Sequence, residues 1–492
     1  MPTAKAMDDC LVASGMNGEA MRSASRRSRT DIRPRRQILT LHAKGVDYRC
    51  PEKIFWVNFN EEMMDPKPSS RRELLKGGAL AVGTVAAGAS VSKVAFAETI
   101  ASGPAPALPS YAANEAPMVA ASDDVIAYGV RSHYVTSKRI PALGRPSPDD
   151  FGLEFHVATP LQDSFGTIQA SSLHYVATTK GSFIPDIDPA KHTLMFDGLV
   201  DRPRIFTMAD LKRFPSVSRF HFIECSGNSA NERDKTVQES HGLTSNAEWT
   251  GVLLSTLFKE CGLQPKATWF VAEAAEENKG ASTIPINKGM TDVIVAYGMN
   301  GEPLRPQQGF PVRLIVPGFE GIFNTKWLRH IKVVDQYQLN MNDFGHLRRS
   351  PVEAALGYQI GPKSVITFPS AGQKLPERGW YEITGLAWSG GGAVRKVEIS
   401  TDGGKSWHAA QLKGTPQAMA HTRFGFMWNW DGGEHVLLSR TTDEIGQVQP
   451  TREEVAKAMG VAYTPKFRPP MNNNTIMPWK IARDGSVTNG LA

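Results

Sequence analysis

Phe222-Ile223-Glu224-Cys225-Ser226-Gly227-Asn228 runs an apolar, strand-like approach into a lone cysteine, with a glycine two residues beyond it. A segment of this kind presents a thiol at the end of a strand and leaves room beside it for something large. Two other readings fit the segment taken alone. It also suits a buried structural thiol, or half of a disulfide with Cys261 in an oxidising compartment.

Around this segment, residues 171–345 mix short strand-like runs at 193–196, 293–297 and 312–316 with helical runs at 208–213 and 253–260. Gly and Pro punctuate throughout, so the character is α+β and not a regular βαβ repeat. There is no GxGxxG after a strand, no GxxxxGK[ST] and no GxSxG. From about 365 the pattern turns all-β. Residues 395–400 read as a strand, Asp402-Gly403-Gly404 as a tight hairpin turn, and 435–441 as a further strand. Phe424, Phe426, Trp428 and Trp430 alternate along the chain, which makes one strand face aromatic. Several short strands with turns between them suggest an immunoglobulin-like sandwich over 365–470. Residues 471–492 read as a polar C-terminal tail.

The N-terminal part reads differently. Residues 1–62 have little apolar periodicity, and Arg22, Arg26, Arg27, Arg29, Arg33, Arg35 and Arg36 crowd one short stretch. They are expected to be a disordered extension or to lie upstream of a true start at Met63 or Met64. Ser70-Arg71-Arg72-Glu73-Leu74-Leu75-Lys76 then precedes a weakly apolar run over 77–89, and the segment closes on Ala95-Phe96-Ala97. Paired arginines, a short apolar region and a small-x-small site make 63–97 a twin-arginine signal peptide. The run is too short and glycine-rich for a stable membrane span. Residues 98–170, rich in Ala, Pro and Ser, read as an N-terminal arm.

The 492 residues carry a formal charge of +6. The first 97 hold 16 of the 55 Lys and Arg and 10 of the 49 Asp and Glu, which leaves 39 of each sign beyond them. The basic excess therefore belongs to targeting, and nothing points to a nucleic-acid partner. Of the four cysteines, Cys10 and Cys50 precede the expected cleavage site. Neither paired CxxC zinc spacing nor the CxxCH pattern of covalent haem occurs.

Further stretches follow in order. They are Ser245-Asn246-Ala247-Glu248-Trp249-Thr250-Gly251-Val252, Ala296-Tyr297-Gly298-Met299-Asn300-Gly301-Glu302-Pro303-Leu304, Gly309-Phe310-Pro311-Val312-Arg313-Leu314-Ile315-Val316-Pro317-Gly318 and Lys326-Trp327-Leu328. Together with the Cys225 segment they resemble the core of the sulfite oxidase family. Gly385-Leu386-Ala387-Trp388-Ser389-Gly390-Gly391 and Ser400-Thr401-Asp402-Gly403-Gly404-Lys405-Ser406-Trp407 look like that family's dimerisation domain. The resemblance covers roughly residues 170–470. It implies a sulfite-oxidase-type molybdopterin-binding domain over 171–345, an all-β dimerisation domain over 365–470, a homodimer, and a molybdopterin-type molybdenum cofactor with no haem in this chain.

Carried over residue by residue, the resemblance makes Cys225 the thiolate ligand to molybdenum, a soft donor suited to that metal. Arg313 and Lys326 match positions that hold the pterin and its phosphate through charge-assisted hydrogen bonds. Gln308, Thr325 and Tyr175 match neighbouring contact positions. Cys261 receives no role and reads as a small core or helix-end residue.

The departures bear on the substrate. Relatives that oxidise free sulfite carry an arginine just after the Cys-x-Gly-Asn segment, where this chain has Ser229-Ala230. A second arginine is missing near Ala177, and a tyrosine position aligns with Phe344. A buried small dianion needs compensating charge, so its cradle is incomplete here. Ile184-Pro185-Asp186-Ile187-Asp188-Pro189 and Phe206-Thr207-Met208-Ala209-Asp210-Leu211-Lys212-Arg213-Phe214-Pro215 look like the sulfane dehydrogenase (SoxC) branch of the family. That branch implies a periplasmic enzyme whose substrate is sulfane sulfur on a carrier protein (SoxYZ-like), with electrons passed to a cytochrome c partner (SoxD-like). A sulfite dehydrogenase acting on free sulfite is the alternative.

Overall fold

The computed structural model describes residues 128–142, 155–178, 184–275, 281–340, 358–464, 467–469 and 472–491. The extension over 1–62, the twin-arginine segment over 63–97, the start of the arm and Phe344 lie outside the described residues.

Strand Ser216–Glu224 pairs antiparallel along its whole length with Thr244–Leu253, from Ser216 opposite Val252 to Glu224 opposite Thr244. Strand Ile294–Met299 lies on the far side of Thr244–Leu253 and is itself flanked by Arg313–Ile315 and Glu302–Pro303. Ser216–Glu224 begins exposed and ends in four buried residues, so it dives into the interior just before Cys225.

A second sheet has the order Arg204–Thr207, Thr193–Gly198, Leu328–Val334, Trp269–Ala274, Ala281–Pro285. Its central pair, Thr193–Gly198 with Leu328–Val334, is parallel and its other pairs are antiparallel. Helix Met208–Arg213 starts on a capping box, in which Thr207 Oγ1 accepts from Asp210 N and Asp210 accepts from Thr207 N. On helix Leu254–Cys261 the buried residues Leu254, Leu257, Phe258 and Cys261 fall at i, i+3, i+4 and i+7, the stripe of a one-sided helix. These four join Phe196, Phe206, Phe270 and Leu314 in one apolar core. Complete burial of Leu257 or Phe258 contributes about 1.5–3 kcal/mol each.

The C-terminal half is a two-sheet sandwich. One sheet orders Lys363–Phe368, Gly379–Trp388, Thr422–Trp430 and Gln411–Lys413, and the other orders His408–Ala409, Val394–Ser400, His435–Asp443, Trp479–Ile481 and Val487–Asn489. Their shared core holds Trp388, Phe424, Trp428, Trp430 and Trp479. Along Thr422–Trp430 the aromatic positions turn inward while Met427 and Asn429 are exposed, as the alternation implies.

Three expectations need correction. Residues 472–491 are not a tail: Trp479–Ile481 pairs with His435–Asp443, and Val487–Asn489 pairs with it in turn. Trp479 is fully buried, and its Nε1 donates to Ile366 O at 3.0 Å. The arm does not end at 170, because Ile140–Pro141, Phe155–Ala158 and Val176–Thr178 form one three-stranded sheet across that boundary. The expected tight turn at Asp402 is a longer loop over 401–407 between paired strands, fastened by Ser400, Asp402 and Ser406.

Candidate cofactor site

Cys225 follows directly on the buried end of Ser216–Glu224, and its N–H donates to Leu243 O at 3.0 Å. The chain then turns back, with Asn228 N donating to Cys225 O at 2.9 Å. Cys225 and Cys261 are both free, which removes the disulfide reading; Cys261 sits buried at its helix end. The Cys225 thiol is half-buried. A Cβ built on Gly227 would lie 3.8 Å from Sγ, so the glycine passes beside the thiol without crowding it. Burial pushes the free thiol up to about 11, and the Glu320 and Glu224 carboxylates push the same way. Without a metal to displace its proton, this group stays a thiol at neutral pH.

Arg313 and Gln308 are buried together. Arg313 Nη1 donates to Gln308 O at 3.0 Å and to Gln308 Oε1 at 3.3 Å, while Nη2 donates to Asn324 O at 3.0 Å. Its guanidinium lies 5.0 Å from the Trp249 ring centre. Gln308 Nε2 donates to Tyr175 O at 2.9 Å, and Tyr175 N donates to Ser245 Oγ at 3.1 Å. Burial raises the Tyr175 phenol well above its usual value, which keeps it a neutral donor.

Lys326 Nζ donates to Ala177 O at 3.0 Å and lies 4.7 Å from the Trp327 ring centre. Thr325 is buried beside it and holds Leu314 N through its carbonyl at 2.8 Å. Gly309, at φ +103°, lets the turn before Arg313 press against both cations. A Cβ there would come within 3.0 Å of Lys326 Cα and 3.2 Å of Arg313 Cβ. Trp327 also takes a left-handed φ of 51°, a conformation that costs about 1–3 kcal/mol and gathers at functional sites.

The structure thus joins Tyr175, Gln308 and Arg313 in one hydrogen-bonded chain, sets Lys326 against the same turn, and places Cys225 within the Coulomb reach of Tyr175. Thr325 enters through its backbone. Three features fit an anionic pterin cofactor. Arg313 is a buried cation whose hydrogen-bond partners are carbonyl oxygens, its Nε has no partner, and burial draws its basicity down to about 10. An anion would compensate that charge. Among the described residues no group of three or more His, Cys, Asp or Glu side chains is arranged to hold a metal ion.

Sequence reasoning missed four residues. Asn324 receives Arg313 through its carbonyl, while its side chain binds Val316 N and Glu320 O. His174 stacks on Tyr175 at 5.3 Å, gives Nδ1 to the Tyr175 carbonyl, and is drawn down to about 3 by burial. Glu224 and Lys363 form a buried ion pair at 2.5 Å. Only the position of Glu224, beside Cys225, marked any of them in the sequence. At the sites of the missing arginines, Ala177 packs on the apolar cluster around Tyr175, and Ala230 packs on the C-terminal core.

Residues 181–342 match the family model for the oxidoreductase molybdopterin binding domain, and residues 355–474 match that for the Mo-co oxidoreductase dimerisation domain. The chain is 32% identical over 307 residues to NADH nitrate reductase 1 of Phaseolus vulgaris, a match covering 54% of this chain and 34% of that one. It is 31% identical over 304 residues to mitochondrial sulfite oxidase of Rattus norvegicus, covering 54% and 55%. The chain spans about a third of the length of the plant nitrate reductases it matches. Among solved structures it resembles the sulfane dehydrogenase SoxCD from Paracoccus pantotrophus, with a TM-score of 0.67 and 32% identity over 76% of this chain and 95% of that one.

Proposed function

The chain belongs to the sulfite oxidase family of molybdopterin oxidoreductases, and from that premise we propose that it oxidises sulfane sulfur carried on a partner protein to the sulfonate level. The observation that carries this reading is the likeness to SoxCD over nearly the whole of that chain. The family's molybdenum cofactor, when bound, would supply oxygen transfer to sulfur two electrons at a time, so reaching the sulfonate level takes three such rounds, with three oxygens from water and six electrons passed on to the acceptor.

This chain's own residues do the rest. Cys225 gives the thiolate ligand. Arg313, with its orphaned Nε, and Lys326 hold the cofactor's anionic end, while Gln308, Tyr175 and Thr325 fix the surrounding turn. His174 is neutral at physiological pH and orients Tyr175 without adding charge. Ala177, Ser229 and Ala230 are small and uncharged where a free dianion would want cations. A sulfur delivered on a carrier protein does not need them, because docking of the carrier supplies binding energy remote from the reacting atom.

Electrons leave to a cytochrome c partner, the mature protein works in the periplasm after twin-arginine export, and residues 365–470 pair two copies. Among the described residues no helix is long and apolar enough to cross a membrane. Steady-state kinetics of the metal-loaded protein, free sulfite against a thiosulfate-charged carrier, test the substrate. Turnover with the charged carrier alone supports the proposal. Efficient oxidation of free sulfite overturns it in favour of a sulfite dehydrogenase, the reading that the match to rat sulfite oxidase favours.

A further inference from the structure

The loop that presents Cys225 is fastened from the C-terminal sandwich. Glu224, the residue before the cysteine, is buried at 1% exposure. Its Oε1 accepts Lys363 Nζ at 2.5 Å and Asn228 Nδ2 at 2.8 Å, and its Oε2 accepts Trp388 Nε1 at 2.7 Å. Lys363 Nζ also donates to Asn228 O at 3.0 Å. Asn228 Oδ1 in turn takes Leu243 N, and Leu243 O takes Cys225 N, each at 3.0 Å. On the other side of the cysteine, Asn472 N donates to Ser226 O at 2.9 Å, and its amide reaches Glu320.

Lys363 and Trp388 stand directly opposite each other in the register of their two strands, so one stretch of sheet aims both donors at Glu224. A buried ion pair adds little stability over an apolar pair of the same volume; what it adds is a fixed geometry. Here that geometry is the exit of the cysteine strand.

We infer that Lys363 and Trp388 are positioning residues for Cys225, so that the C-terminal domain completes the metal-ligand site as well as pairing two chains. This rests on the reading of Cys225 as ligand. Both residues act through Glu224 and Asn228, and neither touches the thiol.

The test uses the full chain. Trp388→Phe removes one donor and keeps an aromatic ring in the core. The double variant Glu224→Gln with Lys363→Met removes both charges at nearly constant volume. The first readout is the iodoacetamide alkylation rate of Cys225 in cofactor-free protein, with buried Cys261 as internal reference. The second is molybdenum per chain in loaded protein.

Trp388→Phe, which changes no charge, should raise Cys225 labelling a fewfold by opening the loop locally, and the double variant about tenfold, in part because loss of the Glu224 carboxylate frees the thiolate, with Cys261 labelling unchanged in both. Molybdenum content should fall in the same order. A merely structural role would instead raise labelling at both cysteines in step with a fall in unfolding temperature, and that result overturns the inference. So does wild-type labelling at Cys225 in both variants. Cys225→Ser separates the two layers: if it retains molybdenum, the ligand reading fails, while the labelling result still judges the positioning.

Discussion

Both halves of the molecule rest on an apolar core, and they differ in what else they bury. In the C-terminal half, strands alternate cleanly and bury tryptophan and phenylalanine between two sheets. In the half that carries Cys225, the residues that matter are polar, buried and held by main-chain carbonyls: Arg313 by Gln308 and Asn324, Lys326 by Ala177, Gln308 by Tyr175. The first arrangement is what apolar burial produces unaided. The second buries the Arg313 cation among carbonyl oxygens and leaves its Nε without a partner, an arrangement that an anionic ligand would compensate. The Glu224–Lys363 pair joins the two halves.

The comparison breaks if substitutions on the two sides behave alike. The largest effect is expected from Cys225→Ser, which should leave under about 1% of the bound molybdenum and turnover, because the ligand itself is lost. Metal analysis beside a thermal scan checks this, and the unfolding temperature of the cofactor-free protein should hardly move.

Trp479→Ala should do the opposite. It opens a cavity in the sandwich and should cost about 3–5 kcal/mol in denaturant unfolding. Equal stability in the variant would restore the reading of 471–492 as a tail.

Arg313→Met should weaken cofactor retention about 10–100-fold, or about 1.4–2.7 kcal/mol. The cofactor-free variant should be as stable as the parent or more so, since a buried cation with carbonyl partners carries a desolvation cost. Dialysis followed by metal analysis reads the first effect and calorimetry the second. A cofactor-free variant that unfolds far earlier would mean that Arg313 belongs to the scaffold.

The smallest effect concerns His421, which lies between Phe222 and Trp388 and is drawn down to about 3 by burial. The unfolded chain takes up this proton near pH 6.5 and the folded chain does not. Stability is therefore lost as pH falls below 6.5, by about 1 kcal/mol between pH 7 and 5.5. His421→Phe should reduce the slope of unfolding temperature over that window by its own share, while His174, His221 and His241, which burial also draws down, keep the rest; an unchanged slope assigns the acid sensitivity to those groups alone.

Much of the C-terminal half was legible in the sequence. The strands now seen at Val394–Ser400 and Thr422–Trp430 announce themselves by alternation, and the strand His435–Asp443 and the helix Met208–Arg213 were legible as runs. Trp479–Ile481 and Val487–Asn489 escaped because three-residue strands among Asn, Gly and Asp show no period. Of the candidate site, Cys225 stood out by its setting. Arg313, Lys326, Gln308, Thr325 and Tyr175 came from family resemblance, since nothing local marks a buried arginine from an exposed one. The Glu224–Lys363 pair was invisible: its partners lie 139 residues apart, and no local pattern couples them.

That separation also sets an order in time. The chain emerges from the ribosome with Cys225 well before Lys363, and long before Asn472. Until residue 472 is out, the strand exit lacks its ion pair, its indole donor or its last main-chain bond. The cysteine loop is therefore among the last parts of the molecule to be finished, although it lies near the middle of the sequence. A cofactor that bound at Cys225 during synthesis would meet a half-built loop.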